Sequence, residues 1–471
     1  MKITKRIFLI CVIALLSVLI WRNYNNSNTR NLYAILTTIL ITYFYYRYLY
    51  INKYENINSI YKPILYTNIA IIVLFYYSRF DFGLPLNDFK VGFTYSNFWD
   101  FYYQLMNVSD GTFKTINTGY FPFNFGIAKF FADVNSWKGG HIDISNRVLR
   151  WYVLYVIIFI SPIYLFYRKH CEIQALNFDN KIGLMALIAI SYPVVFLIER
   201  GNFVIVSFFF FSLFIYFYNE KKYNLAAIFI SFFIGLKIMN LVVVLFLLNR
   251  MRKHLAKIFG IAVFINLISL IYLFKFDFNK WLMFKLSFLA PLQGLFPELF
   301  TETFHVTDGG RMQGMSSIDN FRLMLKILIG NDTQNAITSI PLIDATLMLV
   351  GLLTVIVYYI KYYKITSWYN ELLIILMVIT LFHSGSADYN LVLFMPLLFI
   401  LNWNKVDIDD ENIIKTLALI LTITITVPIF LIEINPTTFN TVSLKSFILP
   451  FTMCTSLALI FIKNKKLKNL I

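Results

Sequence analysis

The sequence predicts an all-α polytopic membrane protein, a bundle of about 12–14 transmembrane or half-spanning helices. Hydrophobic residues make up 59% of its 471 residues and charged residues only 14%, well below the charged share of a soluble domain. Apolar stretches long enough to cross the hydrocarbon core as a helix recur along nearly the whole chain. Basic clusters flank these stretches on alternate connections. Together these observations exclude an ordinary soluble protein.

The predicted spans follow the apolar runs and the charged or turn-forming residues that separate them. Their residue ranges are 7–21, 32–51, 63–79, 148–167, 182–198, 203–219, 224–236, 238–250, 256–275, 341–361, 369–384, 389–403, 413–432 and 446–463. The first run resembles a signal peptide, but Trp21 and Arg22 stand where small residues would mark a cleavage site. We therefore interpret it as a retained span, and residues 1–471 as a single integral membrane domain.

Charge assigns the two faces of this bundle. Fourteen spans place both termini on one side, together with all the main basic clusters. These clusters are Lys2, Lys5 and Arg6; Arg168 and Lys169; Lys221 and Lys222; Arg250, Arg252 and Lys253; Lys361 and Lys364; and Lys463, Lys465, Lys466 and Lys468. That side is predicted to be the cytoplasm, which accounts for the net charge of +16 without a nucleic-acid partner.

Two long connections, 80–147 and 276–340, then lie outside the cytoplasm. Each contains aromatic and apolar stretches, such as FWDFYYQL in the first, that predict short helices lying along the membrane surface. They are the first and second extracytoplasmic loops of the predicted topology.

Residues 224–250 must begin and end on the cytoplasmic side, although they are only about as long as one generous helix. Two half-spans that meet near Gly235 and Lys237 satisfy this requirement. Non-helical backbone at membrane depth is tolerated only beside protein or a water-filled cavity, and a lysine there is costly without compensation. We therefore expect Lys237 to face a polar cavity.

The unusual polar residues collect on the extracytoplasmic face. They are Asp81, Asp88, Asp100, Asp110, Glu199, Arg200, Glu302, His305, Asp308, Arg311, Asp319, His383 and Asp388. A carboxylate that accepts a proton from an attacking hydroxyl, with cations that hold a phosphate leaving group, is sufficient for glycosyl transfer from a lipid phosphate. Most loop carboxylates are simply solvated, but Asp100 lies among aromatic residues and is the strongest candidate base. The separated histidines and the three distant cysteines have no metal-site or disulfide spacing.

Five short elements follow one another between residues 100 and 396. They are Asp100-Phe101-Tyr102-Tyr103, Tyr120-Phe121-Pro122-Phe123, Glu199-Arg200-Gly201-Asn202, Gly235-Leu236-Lys237-Ile238-Met239-Asn240, and Asp388-Tyr389-Asn390 running to Pro396. In this order the chain resembles the polyprenyl-phosphate-sugar-dependent membrane glycosyltransferases of the GT-C superfamily, in particular glycosyltransferase family 87 and its DUF2029-like relatives. Phe123 and Asn240 stand where that family has proline, and Asp388 stands where it has histidine.

The resemblance implies a GT-C-like bundle that transfers one hexose from a polyprenyl-phosphate donor to an extracytoplasmic glycan, such as O-antigen, by an inverting displacement. The implied site residues are Asp100 as general base; Arg200, Lys237 and Glu199 as ligands of the donor phosphate; and Tyr103, Asn202, His383, Asp388 and Arg311 as candidate contacts of the acceptor or donor sugar. It requires no cofactor, because arginine and lysine can hold the phosphate; a divalent metal is compatible but not implied. The implied location is the bacterial cytoplasmic (inner) membrane, with both termini cytoplasmic, the site extracytoplasmic, and a lipid-linked donor, a glycan acceptor and membrane lipids as partners.

Two alternatives stay open at this point. An O-antigen polymerase also has large outer loops and relies on arginines there, for which Arg311 and Arg322 are available, but it would not need Asp100. A lipid-linked sugar flippase or transporter would explain a broken helix at 224–250. Against a transporter, the polar residues concentrate in the outer loops and the sequence shows no inverted repeat.

Overall fold

The computed structural model describes most of the middle of the chain and parts of its C-terminal third. The described residues are 121–134, 146–176, 178–191, 201–275, 367–382, 388–403, 431–435 and 440–443, with the single positions 101, 105, 108, 193, 194, 197, 198, 353, 356 and 357. The α-helices are α1 (Pro122–Val134), α2 (Asn146–Ile160), α3 (Pro162–Ile173), α4 (Phe178–Ile190), α5 (Val204–Asn219), α6 (Tyr223–Ile234), α7 (Val244–Arg250), α8 (Leu255–Phe274), α9 (Trp368–Phe382) and α10 (Met395–Trp403). Short 3-10 helices, Ile238–Val243, Arg252–His254 and Asp388–Phe394, lead into α7, α8 and α10.

The helical class predicted from the apolar runs is confirmed for the described residues, since nearly all of them are helical. One exception is a short antiparallel pair of strands, β1 (Leu431–Asn435) and β2 (Asn440–Ser443), in the predicted connection between the last two spans. The predicted spans before residue 80 and the second long loop lie outside the described residues.

One predicted span is bent. Helices α2 and α3 cover the run predicted as 148–167, but they meet at an angle of 41° at Ser161, and α3 continues to Ile173. Pro162 explains the bend, because proline has no N–H for the hydrogen bond that a continuous helix needs and its ring crowds the preceding turn. Ser161 instead donates its hydroxyl to the carbonyl of Ile158 at 2.7 Å.

The described part of the chain contains one helix long and apolar enough to cross a membrane, Arg252–Phe274, or two if α2 and α3 count as one bent span. Large apolar side chains of α8 are exposed in the isolated chain, and Phe264 exposes 61% of its surface. Contiguous exposed apolar surface of this kind is unfavourable in water and favourable in lipid. These helices are compatible with a membrane protein.

Helix α5 lies at the centre of the described bundle. It packs against α2, α3, α6 and α10, and most of its side chains are buried. Its neighbour α6 runs antiparallel to it, with Phe211 against Phe233 at 4.8 Å and Phe217 against Phe229 at 5.3 Å between ring centroids. Aromatic pairs thus fix the register of the two helices along their whole length.

Two ion pairs join helix ends at one end of this bundle. Lys169 of α3 pairs with Glu220, which follows α5, and Arg250 of α7 pairs with Glu371 of α9. The basic clusters at 168–169, 221–222 and 250–253 therefore lie together, which we call the basic end. Helix α5 begins at the opposite end of the bundle, after the turn at Gly201.

Candidate functional site

A break between two short helices lies in the interior of the bundle, where the sequence predicts two half-spans. Helix α6 ends at Ile234, and the chain then passes through an extended Lys237 (φ −150°, ψ 140°) into the 3-10 helix Ile238–Val243 and α7. Both arms return to the basic end. Twelve residues of α6 rise about 18 Å at 1.5 Å per residue, roughly half the thickness of a bilayer core. Lys237 is half-buried at the turning point.

The backbone groups freed at this break have partners. Asn240 donates its side-chain amide to the carbonyl of Phe233 at 2.7 Å. Phe121, just before α1, donates its backbone N–H to the carbonyl of Leu236 at 3.0 Å. Asn240 stands where the resembled family has proline, and its amide closes the open end of α6. Asparagine in place of proline therefore stabilises the break, because its side chain bonds a backbone carbonyl that the end of α6 leaves free.

Asn266 of α8 holds the break to α1. Its Oδ1 accepts the backbone N–H of Phe123 at 3.0 Å, and its Nδ2 lies 3.2 Å from the carbonyl of Gly235 and 2.8 Å from that of Ala262. One side chain thus joins α1, α6 and α8. Asn266 was not among the residues predicted from the sequence. The available signal was a lone asparagine inside an apolar helix, which is costly in a membrane unless it has a specific task.

Gly201 and Asn202 form the turn that leads into α5. Gly201 has φ 63°, a left-handed conformation that glycine adopts without strain. The buried Asn202 accepts the N–H of Val204 with its Oδ1 at 2.9 Å, so it caps the start of α5. Tyr152 donates its hydroxyl to the carbonyl of Ile198 and fixes the helical residues that lead into this turn.

The first-loop element contacts this turn through Phe101. The Phe101 ring stacks on Phe203, with centroids 6.0 Å apart and planes 14° apart, and it also contacts Tyr155 and Phe131. Phe101 is completely buried. Asp100, the residue before Phe101 in the sequence, lies outside the described residues. Two of the five sequence elements therefore come together at the start of α5.

Helix α1 connects the turn to the break. At its start, Phe123 contacts Phe210 and Phe232 beside the break, and near its end Phe131 contacts Phe101.

An electrostatic cluster fastens the other end of α1 to α8. Lys129 and the hydroxyl of Tyr272 each donate to the carboxylate of Asp133 at 2.5 Å. Partial burial raises the pKa of Asp133, but the two hydrogen bonds and the positive charges of Lys129 and Lys275 outweigh this effect and lower the pKa overall. The cluster is exposed and ties two helices together.

The structure describes the side chains of two predicted site residues, Lys237 and Asn202, and places the backbone of Asp388 in a 3-10 helix. The other predicted site residues lie outside the described residues: Asp100, Tyr103, Glu199, Arg200, Arg311 and His383. Among the residues that the structure describes, no group of three or more histidine, cysteine, aspartate or glutamate side chains is arranged to hold a metal ion.

The described arrangement combines a cation at a helix break, a capped helix start and several buried amides around α1. A helix start offers N–H groups and a positive dipole end to an anion, and lysine offers a compact positive charge. Such a set is suited to binding a phosphorylated ligand. Comparison with protein-family models, with curated proteins and with solved structures gave no match to this chain.

Proposed function

We propose that this chain is a polytopic membrane glycosyltransferase of the GT-C type, which transfers a hexose from a polyprenyl-phosphate donor to a glycan on the extracytoplasmic side of a bacterial cytoplasmic membrane. The observation that carries the proposal is the convergence of separate sequence elements on α1. Phe121, just before α1, bonds to Leu236 beside Lys237, and Phe101, next to Asp100, contacts Phe131 near the end of α1. Segments more than 100 residues apart in sequence are thus held at the two ends of one short helix, next to residues to which the resemblance assigns roles in donor binding and base catalysis.

The proposed reaction is a single displacement at the anomeric carbon. Asp100 accepts the proton of an acceptor hydroxyl while that oxygen bonds to the anomeric carbon, and the bond from this carbon to the phosphate oxygen breaks. Polyprenyl phosphate leaves with the electron pair, and Lys237 and Arg200 compensate its charge. One carboxylate suffices, because a phosphate leaving group needs little protonation.

Lipid exposure supports the lipid-linked nature of the donor. The exposed apolar side chains of α2, α4 and α8 would face acyl chains, and a polyprenyl tail requires the same apolar surroundings. The break is not at the basic end of the bundle but in its interior, so a phosphate bound at Lys237 would keep its lipid tail within the membrane.

The test is transfer by membranes that contain Asp100→Asn, with Asp88→Asn as a matched control from the same loop. The membranes are supplied with radiolabelled polyprenyl-phosphate hexoses and candidate surface glycans. We expect Asp100→Asn to abolish transfer, with normal expression and insertion, and Asp88→Asn to retain it. Normal transfer by Asp100→Asn would exclude the proposed base and the mechanism built on it.

A flippase for a lipid-linked sugar is a second candidate, favoured by the broken α6–α7 pair. The same membranes separate the two functions. A flippase would move the labelled donor across the bilayer without forming a glycosidic bond, whereas the transferase releases polyprenyl phosphate and labels the glycan.

A further inference from the structure

Asn124, in the first turn of α1, is a buried amide without hydrogen-bonding partners in the described part of the chain. The residue is 1% exposed, and neither its Nδ2 nor its Oδ1 has a partner there. Folded proteins rarely leave both polar atoms of a buried amide unpaired, because each loses its hydrogen bonds with water and gains none. An amide that is unsatisfied in the free protein is therefore a candidate contact for a bound polar group.

The side of α1 that carries Asn124 faces away from α8. Asn124 and Phe131 are seven residues apart and share one side of the helix, while Gly126 and Asp133 lie on the opposite side. Gly126 approaches Ser269 of α8, whose Oγ would lie 3.0 Å from an added Cβ, and Asp133 bonds to α8 as well. The amide is therefore directed into the bundle, away from α8.

The two ends of this side of α1 meet the two halves of the proposed site. At the start of the helix Phe121 bonds to the residue before Lys237, and at its other end Phe131 contacts Phe101, which follows Asp100. Asn124 lies between these contacts. In the proposed reaction the sugar lies along this interval, because its anomeric carbon carries the phosphate on one side and is attacked from the other side by the acceptor hydroxyl that Asp100 deprotonates.

Amide chemistry distinguishes sugar from phosphate. The Asn124 side chain offers two N–H donors and one carbonyl acceptor, whereas ionised phosphate oxygens only accept. A sugar hydroxyl both donates and accepts, so two neighbouring hydroxyls can satisfy the whole amide. We propose that Asn124 hydrogen-bonds neighbouring hydroxyl groups of the donor hexose and contributes to the choice of sugar, an inference that rests on the proposed function.

The kinetic test compares Asn124→Leu, which has a similar shape without polar atoms, with Asn124→Asp and Lys237→Met. The measurements are the KM for a short-chain polyprenyl-phosphate hexose and the inhibition constant of the same polyprenyl phosphate without sugar. We expect Asn124→Leu to raise the donor KM at least tenfold and to leave inhibition by the bare lipid phosphate unchanged, with a smaller effect for Asn124→Asp. Lys237→Met should weaken both. An unchanged donor KM in Asn124→Leu, or equal weakening of both constants, would overturn the assignment.

A binding test keeps the inference separate from the reaction. Thermal unfolding of the purified protein is followed with the lipid phosphate bearing glucose, galactose or mannose, and with the bare lipid phosphate. We expect one sugar-bearing ligand to raise the wild-type Tm more than the bare ligand does, and Asn124→Leu to lose that difference. If the wild type shows the difference but transfers no sugar, the catalytic proposal fails and the sugar contact stands. If the wild type shows no difference for any sugar, the contact is excluded.

Discussion

Arg250 donates its Nε–H to the fully buried carboxylate of Glu371 with an N–O distance of 2.6 Å. Asn249 donates to the other carboxylate oxygen, also at 2.6 Å. This contact joins the end of α7 to the start of α9 across 121 positions of the sequence, at the end of the bundle opposite the Asn202 turn. Both oxygens of a buried carboxylate are thus bonded, which anchors the α7 arm of the helix break to α9.

Glu371→Ala is expected to destabilise the protein. Removal of one partner of a buried ion pair costs roughly 3–5 kcal/mol, but Arg250 keeps 28% of its side chain exposed and can recover water, so we expect about 2–3 kcal/mol. Thermal unfolding in detergent measures the loss. The exposed pair Arg168–Glu172 is the control, because Glu172→Ala should change stability by less than about 0.5 kcal/mol. Equal effects of the two variants would show that Glu371 is not a structural anchor.

Gly235→Ala is expected to disturb the helix break for steric reasons alone. An added Cβ would lie 2.8 Å from Ile265 Cδ1 and 3.0 Å from Asn266 Nδ2, and the backbone of Gly235 has φ −69°, which alanine adopts freely. We expect a loss of about 1–3 kcal/mol in unfolding free energy, together with weakened binding of the donor.

Gly260→Ala is the matched control for this substitution. No atom lies within 4 Å of its added Cβ, and the position is inside α8, so alanine should be neutral or stabilise the helix by up to about 1 kcal/mol. A destabilisation of similar size at both glycines would contradict the packing of α6 against α8.

Asn266→Leu is expected to loosen the attachment of α1 to the break. The change leaves the N–H of Phe123 and the carbonyl of Gly235 without their side-chain partner, and an unsatisfied buried group costs about 1–3 kcal/mol. Faster amide hydrogen exchange in residues 235–240 and at the start of α1 would report the loosening. Asn224→Leu is the control. The Asn224 side chain accepts only a long 3.5 Å contact from Lys257 among the described residues, so its loss should leave hydrogen exchange in these segments unchanged.

The Asp133 cluster is expected to make stability depend on acidity. Because the pKa of Asp133 is lowered in the folded protein, its stabilisation is present above the unfolded pKa of about 3.9 and is lost as pH falls through the folded pKa. The Tm difference between the wild type and Asp133→Asn should therefore shrink as the pH is lowered from 6 towards and below 4, about the usual aspartate range. A difference that is constant over this range would show that the Asp133 charge does not contribute.

The sequence was sufficient for part of the candidate site. The break at Gly235 and Lys237 follows from helix length and from the requirement that both arms return to one end, and the Asn202 cap follows from a Gly-Asn turn before an apolar run. These are local properties. The bend at Ser161 also has a local cause, Pro162, but it was not predicted because the span 148–167 was defined from the length of the apolar run alone.

The hydrogen-bonding partners of the amide side chains around α1 could not be predicted from the sequence. Asn124, Asn240 and Asn266 are single polar residues in apolar surroundings, and no periodic pattern distinguishes a structural clamp from an unsatisfied amide. Glu371 was likewise assigned no role from the sequence, although it is the most deeply buried carboxylate that the structure describes. The role of each depends on its spatial neighbours.

The sequence by itself determined that the described chain is built of apolar helices, where most of them begin and end, and where one of them breaks. Composition and local residue patterns control these features through helix length, turn chemistry and the preference of apolar side chains for burial or lipid. Only the tertiary structure decided that Phe101 meets Phe203, that Asn266 joins three helices and that Asn124 is left without a partner among the described residues. The physical reason is that a hydrogen bond or ring contact requires atoms within a few ångströms, and packing alone determines which distant segments come that close.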